Sequence, residues 1–336
     1  MSFWATEPPA APYFDSRLNA WILSRYRDVA AALRDPRFAP ALAGSTAPAT
    51  PINSAFHADF RTQALHALSP AAIQHWEEQF ASSADLLAGA LPTGEPVDLL
   101  ERYARPWSLQ VAGIAANVPP EQCSRLSAVG RAIFDTGAEP YDKALATAAL
   151  QSVRELTAFF HGAPQWTLQM FVALAHSLPA FLGNAWLALL EQPSEITGLP
   201  NAIDELLRFA GPAKAQFRQA AAPVTIGDCT VEKDQHAILR LDIANRDPEE
   251  FPDPAALRFD LRNAGHLALG TGVHACVGGA LVKLAATIAT ETLLDRFHFE
   301  PPHAAVPVDS FAMRYLSSLT VTLSSRVPDF DVKPLA

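Results

Sequence analysis

Apolar residues recur with helical spacing through most of residues 57–210. The pattern is broken at Ser69-Pro70, Pro92 to Gly94, Pro119-Pro120, Pro140, Pro164, Pro193 and Pro200. This predicts a series of helices punctuated by proline. Ahead of them, Trp21-Ile22-Leu23-Ser24 reads as a strand. Asp28 to Arg34 reads as a helix capped by Asp28 and stopped before Pro36. The Ala-, Thr-, Ser- and Pro-rich stretch 41–52 reads as a loop. Between 212 and 265 the pattern changes to short β-branched runs, Val224-Thr225-Ile226 and Ala237-Ile238-Leu239, bounded by Gly, Asp and Pro. A further helix is predicted over 277–295 and a strand pair over 315–325. The chain therefore reads as mainly α with a small β region, without internal repeats or low-complexity segments.

One stretch, Met170 to Leu190, is apolar over a length that could span a bilayer. It contains His176, Ser177, Pro179 and Asn184 and lacks flanking basic residues and aromatic belts. It is predicted to be a buried central helix.

Composition narrows the classes. The 336 residues are 49% hydrophobic with 6 Trp and 19 Phe, enough for a substantial globular core. A net charge of -10 argues against nucleic acid and against a polybasic membrane anchor. The three cysteines, Cys123, Cys229 and Cys276, suggest no disulfide framework and fit a reducing cytosol. Met1 to Pro12 lacks the basic and apolar regions of a signal peptide, so a cytoplasmic protein is expected.

The chemistry is concentrated near the C-terminal end. Leu269-Gly270-Thr271-Gly272-Val273-His274-Ala275-Cys276-Val277-Gly278 is a glycine-punctuated loop carrying one cysteine into an apolar helix. A thiolate at a helix N-terminus faces backbone N–H groups and the positive end of the dipole, which makes it an accessible soft metal ligand. Upstream, Glu205 and Arg208 share one face of an apolar helix with Leu206, Leu207 and Phe209, which predicts a buried ion pair needing a further partner. Between them lies the polar phrase Asn245-Arg246-Asp247-Pro248 through Pro254.

The three motifs in this order resemble the cytochromes P450, whose Cys loop reads Phe-Gly-x-Gly-x-His-x-Cys-x-Gly; here Leu269 replaces the Phe. The resemblance implies the cytochrome P450 fold and a single domain over 1–336, with a haem-side core at about 200–295. It implies haem b as cofactor, with Cys276 as the axial ligand of the iron. Arg258 would complete a structural triad with Glu205 and Arg208. The family's propionate contacts fall on His57 and Arg61, four residues apart in a helical stretch, and on Arg218 and His274. Implied partners are a small-molecule substrate and ferredoxin with its reductase as electron donors.

Two departures stand out. The family's central-helix motif, Ala-Gly-x-Asp/Glu-Thr, aligns with Ala173-Leu174-Ala175-His176-Ser177, so Leu174 stands for Gly, a position the resemblance implies lies against the cofactor, His176 for the acid and Ser177 for Thr. Pro179 is expected to kink this helix. The segment at about 120–165, which in the family roofs the substrate, reads as too poor in helix, a shortened roof. The reaction expected is a monooxygenation drawing on O₂, with Ser177 and His176 as catalytic candidates. The alternatives are non-standard haem-thiolate chemistry (peroxygenase, dehydratase or isomerase), His176 as a second axial ligand, and a non-catalytic partner protein.

Overall fold

The computed structural model describes residues 3–41, 55–164, 166–193, 199–259 and 265–326. The chain opens with strands β1 (Tyr13–Asp15) and β2 (Ala20–Leu23), helix α1 (Tyr26–Arg34) and strand β3 (Phe38–Pro40). Helices α2 (Ala55–Ala67), α3 (Pro70–Ile73) and α4 (Glu77–Gly89), strand β4 (Pro96–Asp98) and helices α5 (Arg105–Ala116), α6 (Pro120–Ala138) and α7 (Lys143–Phe159) follow. The central helix is built from α8 (Trp166–Val172), a π-helical turn (Ala173–Ser177) and α9 (Leu178–Glu191). Next come α10 (Leu199–Ala210), the strands β5 (Ala215–Ala220), β6 (Val224–Ile226), β7 (Cys229–Val231) and β8 (His236–Arg240), and the short α11 (Leu241–Ala244). The chain ends with α12 (Gly279–Arg296) and strands β9 (Phe297–Phe299), β10 (Ala304–Val308) and β11 (Tyr315–Ser325).

The mainly α architecture with a small β region is as expected. Five strands form one mixed sheet in the order β1-β2-β8-β5-β3, with β2 and β8 parallel. A second sheet runs β10-β11-β4, with β9 also on β11. Residues 315–325 are thus one long strand and not a strand pair; its partners lie elsewhere in the chain.

The helical core surrounds α9, in which every residue from Leu178 to Ala188 is buried. A helix apolar on all sides must be enclosed by others, and the apolar 18-residue window of the whole central helix, Trp166–Glu191, is 78% buried within the fold. Trp107 and Tyr103 stack beneath it with centroids 6.5 Å apart. Asn184 is its one fully buried polar side chain among these residues; Nδ2 donates to Ala210 O (3.1 Å) and Arg314 O (2.8 Å), tying α9 to the end of α10 and to the segment entering β11.

Two local expectations are corrected. Asp28 does not cap α1: it lies inside the helix and is buried, and the first-turn N–H of Tyr26 donates instead to Asp247 Oδ2 at 2.8 Å, a cap supplied from 221 residues away. At Pro179 the central helix departs from regular α geometry. The π turn immediately before it adds a residue to the turn, which relieves the clash of a proline ring with the preceding carbonyls. The segment 120–165 is rich in helix: α6 and α7 span 19 and 17 residues and pack against each other. Glycines at 130 and 137 and scattered Ser and Thr obscure its period in the sequence. The short part is the connection from Phe160 to Trp166.

Candidate haem-thiolate site

The Cys loop closes on itself through the backbone. Cys276 N donates to Leu269 O (2.7 Å), Ala275 N to Gly272 O (3.1 Å) and Gly279 N to Cys276 O (3.3 Å), and α12 starts three residues after the cysteine. Gly272 has φ +69°, and a Cβ there would sit 2.8 Å from Arg34 Cα. This glycine therefore permits close approach to α1, where side-chain-bearing residues could not fit. At Gly278 a Cβ would meet nothing within 4 Å, so that side of the loop faces open space.

Cys276 is exposed, yet burial is the main influence on its thiol, pushing its pKa up, while the Gly278 N–H and the Arg61 charge oppose that rise. Both observations hold for a side chain deep in the protein on the wall of a space wide enough to admit solvent. A thiol so placed is stabilised by becoming a metal-bound thiolate, since coordination replaces the lost solvation.

One cation reaches the same loop among the described residues. Arg61 on α2 donates Nη1 to Ala275 O at 2.9 Å, directly beside the cysteine. Arg218 on β5 is 5% exposed; its Nη1 and Nη2 donate to Phe217 O (2.9 Å) and Gln216 Oε1 (2.6 Å), while its buried Nε has no partner. Burial pushes its pKa down to about 10. A buried guanidinium with neutral partners and an orphaned N–H is costly, and a carboxylate of a bound group would offset that cost. The side chains of His57 and His274 lie outside the described residues.

Behind the loop is a connected polar scaffold. Glu205 is fully buried, and Arg208 grips it through two bonds of 2.7 Å. Arg208 also donates to Asn245 O (2.9 Å), Pro254 O (3.0 Å) and Ala256 O (2.9 Å). Asn245 Oδ1 in turn accepts from Leu267 N at 2.7 Å, two residues before the Cys loop. The expected third partner, Arg258, donates its backbone N–H to Glu205 Oε1 at 2.8 Å. The polar Asn245–Asp247 phrase thus links α10, α1 and the Cys loop. Only the resemblance pointed to it; composition carried no signal.

On the central helix the π turn separates the predicted residues. Leu174 is 2% exposed and packs in the main core. The expectation that it lines the cofactor pocket in place of glycine does not match this placement. Ala173 and Ser177, one turn apart, face a cavity of about 810 Å³ with Phe134 and Met313. Gln169, one turn earlier, lines it too, so residues 169, 173 and 177 form one open stripe. The sequence reading overlooked Ala173 and Gln169, although their spacing from Ser177 carries the signal.

His176 points elsewhere. Its Nε2 lies 3.0 Å from Ser127 O on α6, and its ring lies 5.7 Å from that of Phe134. A carbonyl only accepts, so Nε2 carries the proton and Nδ1 is the free base. The ring lines a second cleft of about 550 Å³ with Glu101, Arg105, Arg131 and Tyr315. Burial pushes its pKa down, with the Ser127 bond opposing.

A cysteine on a loop held by Arg61 and a buried arginine with an orphaned donor are features that a haem-thiolate protein would use. Comparison with known proteins agrees. A sequence model of the family described as cytochrome P450 matches residues 190–324. Cytochrome P450 107B1 of Saccharopolyspora erythraea is 27% identical over 366 residues, covering 90% of this chain and 89% of the relative. Vitamin D(3) 25-hydroxylase of Pseudonocardia autotrophica is 27% identical over 362 residues, covering 92% and 87%. The crystal structure of the cytochrome P450 enzyme CYP109B1 from Bacillus subtilis superposes with a TM-score of 0.81 at 22% identity, over 93% of this chain and 96% of that one. These likenesses support a cytochrome P450, a family whose cofactor is haem b. The 366-residue alignment is longer than the 336-residue chain, so the Saccharopolyspora relative carries segments that this chain lacks.

Proposed function

We propose that the protein is a single-domain cytoplasmic monooxygenase acting on a small organic or biosynthetic substrate, with O₂ and with electrons from a ferredoxin and its reductase. The observation that carries this reading is the open stripe Ala173–Ser177: a small side chain and a hydroxyl turned to the 810 Å³ cavity, with Leu174 withdrawn into the core. Bound haem would supply oxygen activation, one atom going to substrate and the other to water. Cys276 would hold its iron, and Arg218, Arg61, His57 and His274 would hold its propionates. Glu205, Arg208 and Arg258 keep the structural frame behind the loop.

Ser177 is assigned to hold a proton at its hydroxyl toward the cavity. His176 is assigned to the second cleft, where its free Nδ1 takes a proton from solvent beside Arg131 and Tyr315. Its engagement with Ser127 argues against its use as a second axial ligand. Turnover with NADPH, ferredoxin and ferredoxin reductase under isotopically labelled dioxygen tests the proposal. One labelled oxygen in the product is the expected result. Equal turnover with hydrogen peroxide alone, with no reductase dependence, would contradict it.

A further inference from the structure

The 810 Å³ cavity beside the central helix is walled by residues of α6 and α7. At the tip of the α6–α7 hairpin, Ala312 N (2.9 Å) and Ser310 Oγ (3.0 Å) both donate to Ala138 O, and Phe311 N donates to Glu139 Oε1 (2.9 Å). Tyr141 there packs edge-on against Phe311 (5.3 Å) and Phe217 (6.2 Å). Three hydrogen bonds and an aromatic triple fasten this tip to the segment before β11. The other end of α7, about 25 Å away at 1.5 Å per residue, meets α8 through the short connection from Phe160 to Trp166. That connection forms the rim of the 810 Å³ cavity, with His161, Gly162 and Pro164 among its lining and all three exposed.

The lining chemistry is one-sided. Phe134, Val153, Val172 and Met313 provide apolar walls, and no described side chain lining the cavity is charged. A charged group entering such a space would lose its hydration without a counterion. The polar side chains are graded along its length. Ser177 lies on the π turn, Thr157 is exposed on α7, and His161 and Gln169 stand exposed at the rim, neither of the last two engaged with the protein.

The geometry points to a neutral, largely apolar substrate that enters past the α7–α8 connection, reaches Ser177 with its apolar body and leaves a hydrogen-bonding group against His161 and Gln169. This inference rests on the haem-thiolate reading of the site and adds the substrate class, the entry side and two specificity residues. The short connection is what brings His161 to the rim.

The test is a spectral titration of the haem-loaded protein at pH 8 with dodecanamide, dodecanoate and n-dodecane, matched in their apolar bodies and differing in charge and polar end. A red-shifted ferrous–CO band, measured first, reports separately on the haem-thiolate reading. Dodecanamide should bind about tenfold more tightly than dodecanoate. The double variant H161A/Q169A should weaken dodecanamide about tenfold while leaving n-dodecane and the CO band unchanged. Equal or tighter binding of dodecanoate, no shift with dodecanamide, or full dodecanamide affinity in the double variant would each overturn the inference.

Discussion

The two sides of the site are built by different physics. On the Cys276 side, the side chains form one polar relay: Glu205 to Arg208, Arg208 to Asn245 O, and Asn245 Oδ1 to Leu267 N, all buried or nearly so. Each member leaves an unpaired charge or donor if its partner changes, so the residue types are tightly restricted. On the central-helix side, the π turn at Ala173–Ser177 is held by apolar packing and one His176–Ser127 bond. Apolar packing tolerates substitutions of similar volume. A protein can therefore keep the first side nearly unchanged while rebuilding the second.

That contrast can be broken at several points. Cys276→Ser should have the largest effect, abolishing the red-shifted Soret band of the ferrous–CO complex. Retention of that band would remove Cys276 as the ligand. Glu205→Ala leaves Arg208 buried and uncompensated and should cost about 3–5 kcal/mol in denaturant unfolding; a cost near zero would show that the relay is not a structural frame. Ser177→Ala should lower product formed per NADPH consumed by about tenfold at unchanged haem content, and unchanged coupling would withdraw Ser177 from proton handling. Arg218→Met should speed haem loss yet stabilise the haem-free protein by about 1 kcal/mol, because it removes an orphaned buried donor. A destabilised haem-free protein would mean that Arg218 is satisfied without haem.

The smallest effect concerns His176. Burial depresses its pKa below the ordinary 6.5. As pH falls through 6.5 the unfolded chain takes up the proton first, so the contribution of neutral His176 to stability is present above that value and is lost with acid. His176→Gln should flatten this part of the pH–stability curve, measured by urea midpoints between pH 7.5 and pH 5. The nearby charges, Arg131, Asp135, Glu101 and Arg105, are unchanged in the variant and serve as its background. An identical slope would place the titration elsewhere.

The same contrast decided what could be read from the sequence. The Cys loop and the Glu205–Arg208 pair were legible because each residue type there answers a strict demand: a thiolate at a helix start, a backbone passing Arg34 at Gly272, a buried bidentate pair. The helix series was legible from period and prolines. The central helix was misread at Leu174 because a linear motif assigns side chains to faces by regular α spacing, and a π turn adds a residue to the turn. The cap of α1 was misplaced on Asp28 because Asp247, its real source, is distant in sequence. The roof helices were overlooked because an amphipathic period diluted by Gly130, Gly137, Ser and Thr resembles a loop. Long-range partners and helical irregularities leave no periodic trace.

The most direct test of the account is the absorbance of the purified wild-type protein in its ferric and ferrous–CO states. The account predicts a red-shifted, thiolate-type Soret band with CO, from a ferric form that binds exogenous ligands readily because His176 is held by Ser127. An unshifted CO band, or a ferric haem that excludes ligands through a histidine lost in His176→Gln, would contradict it.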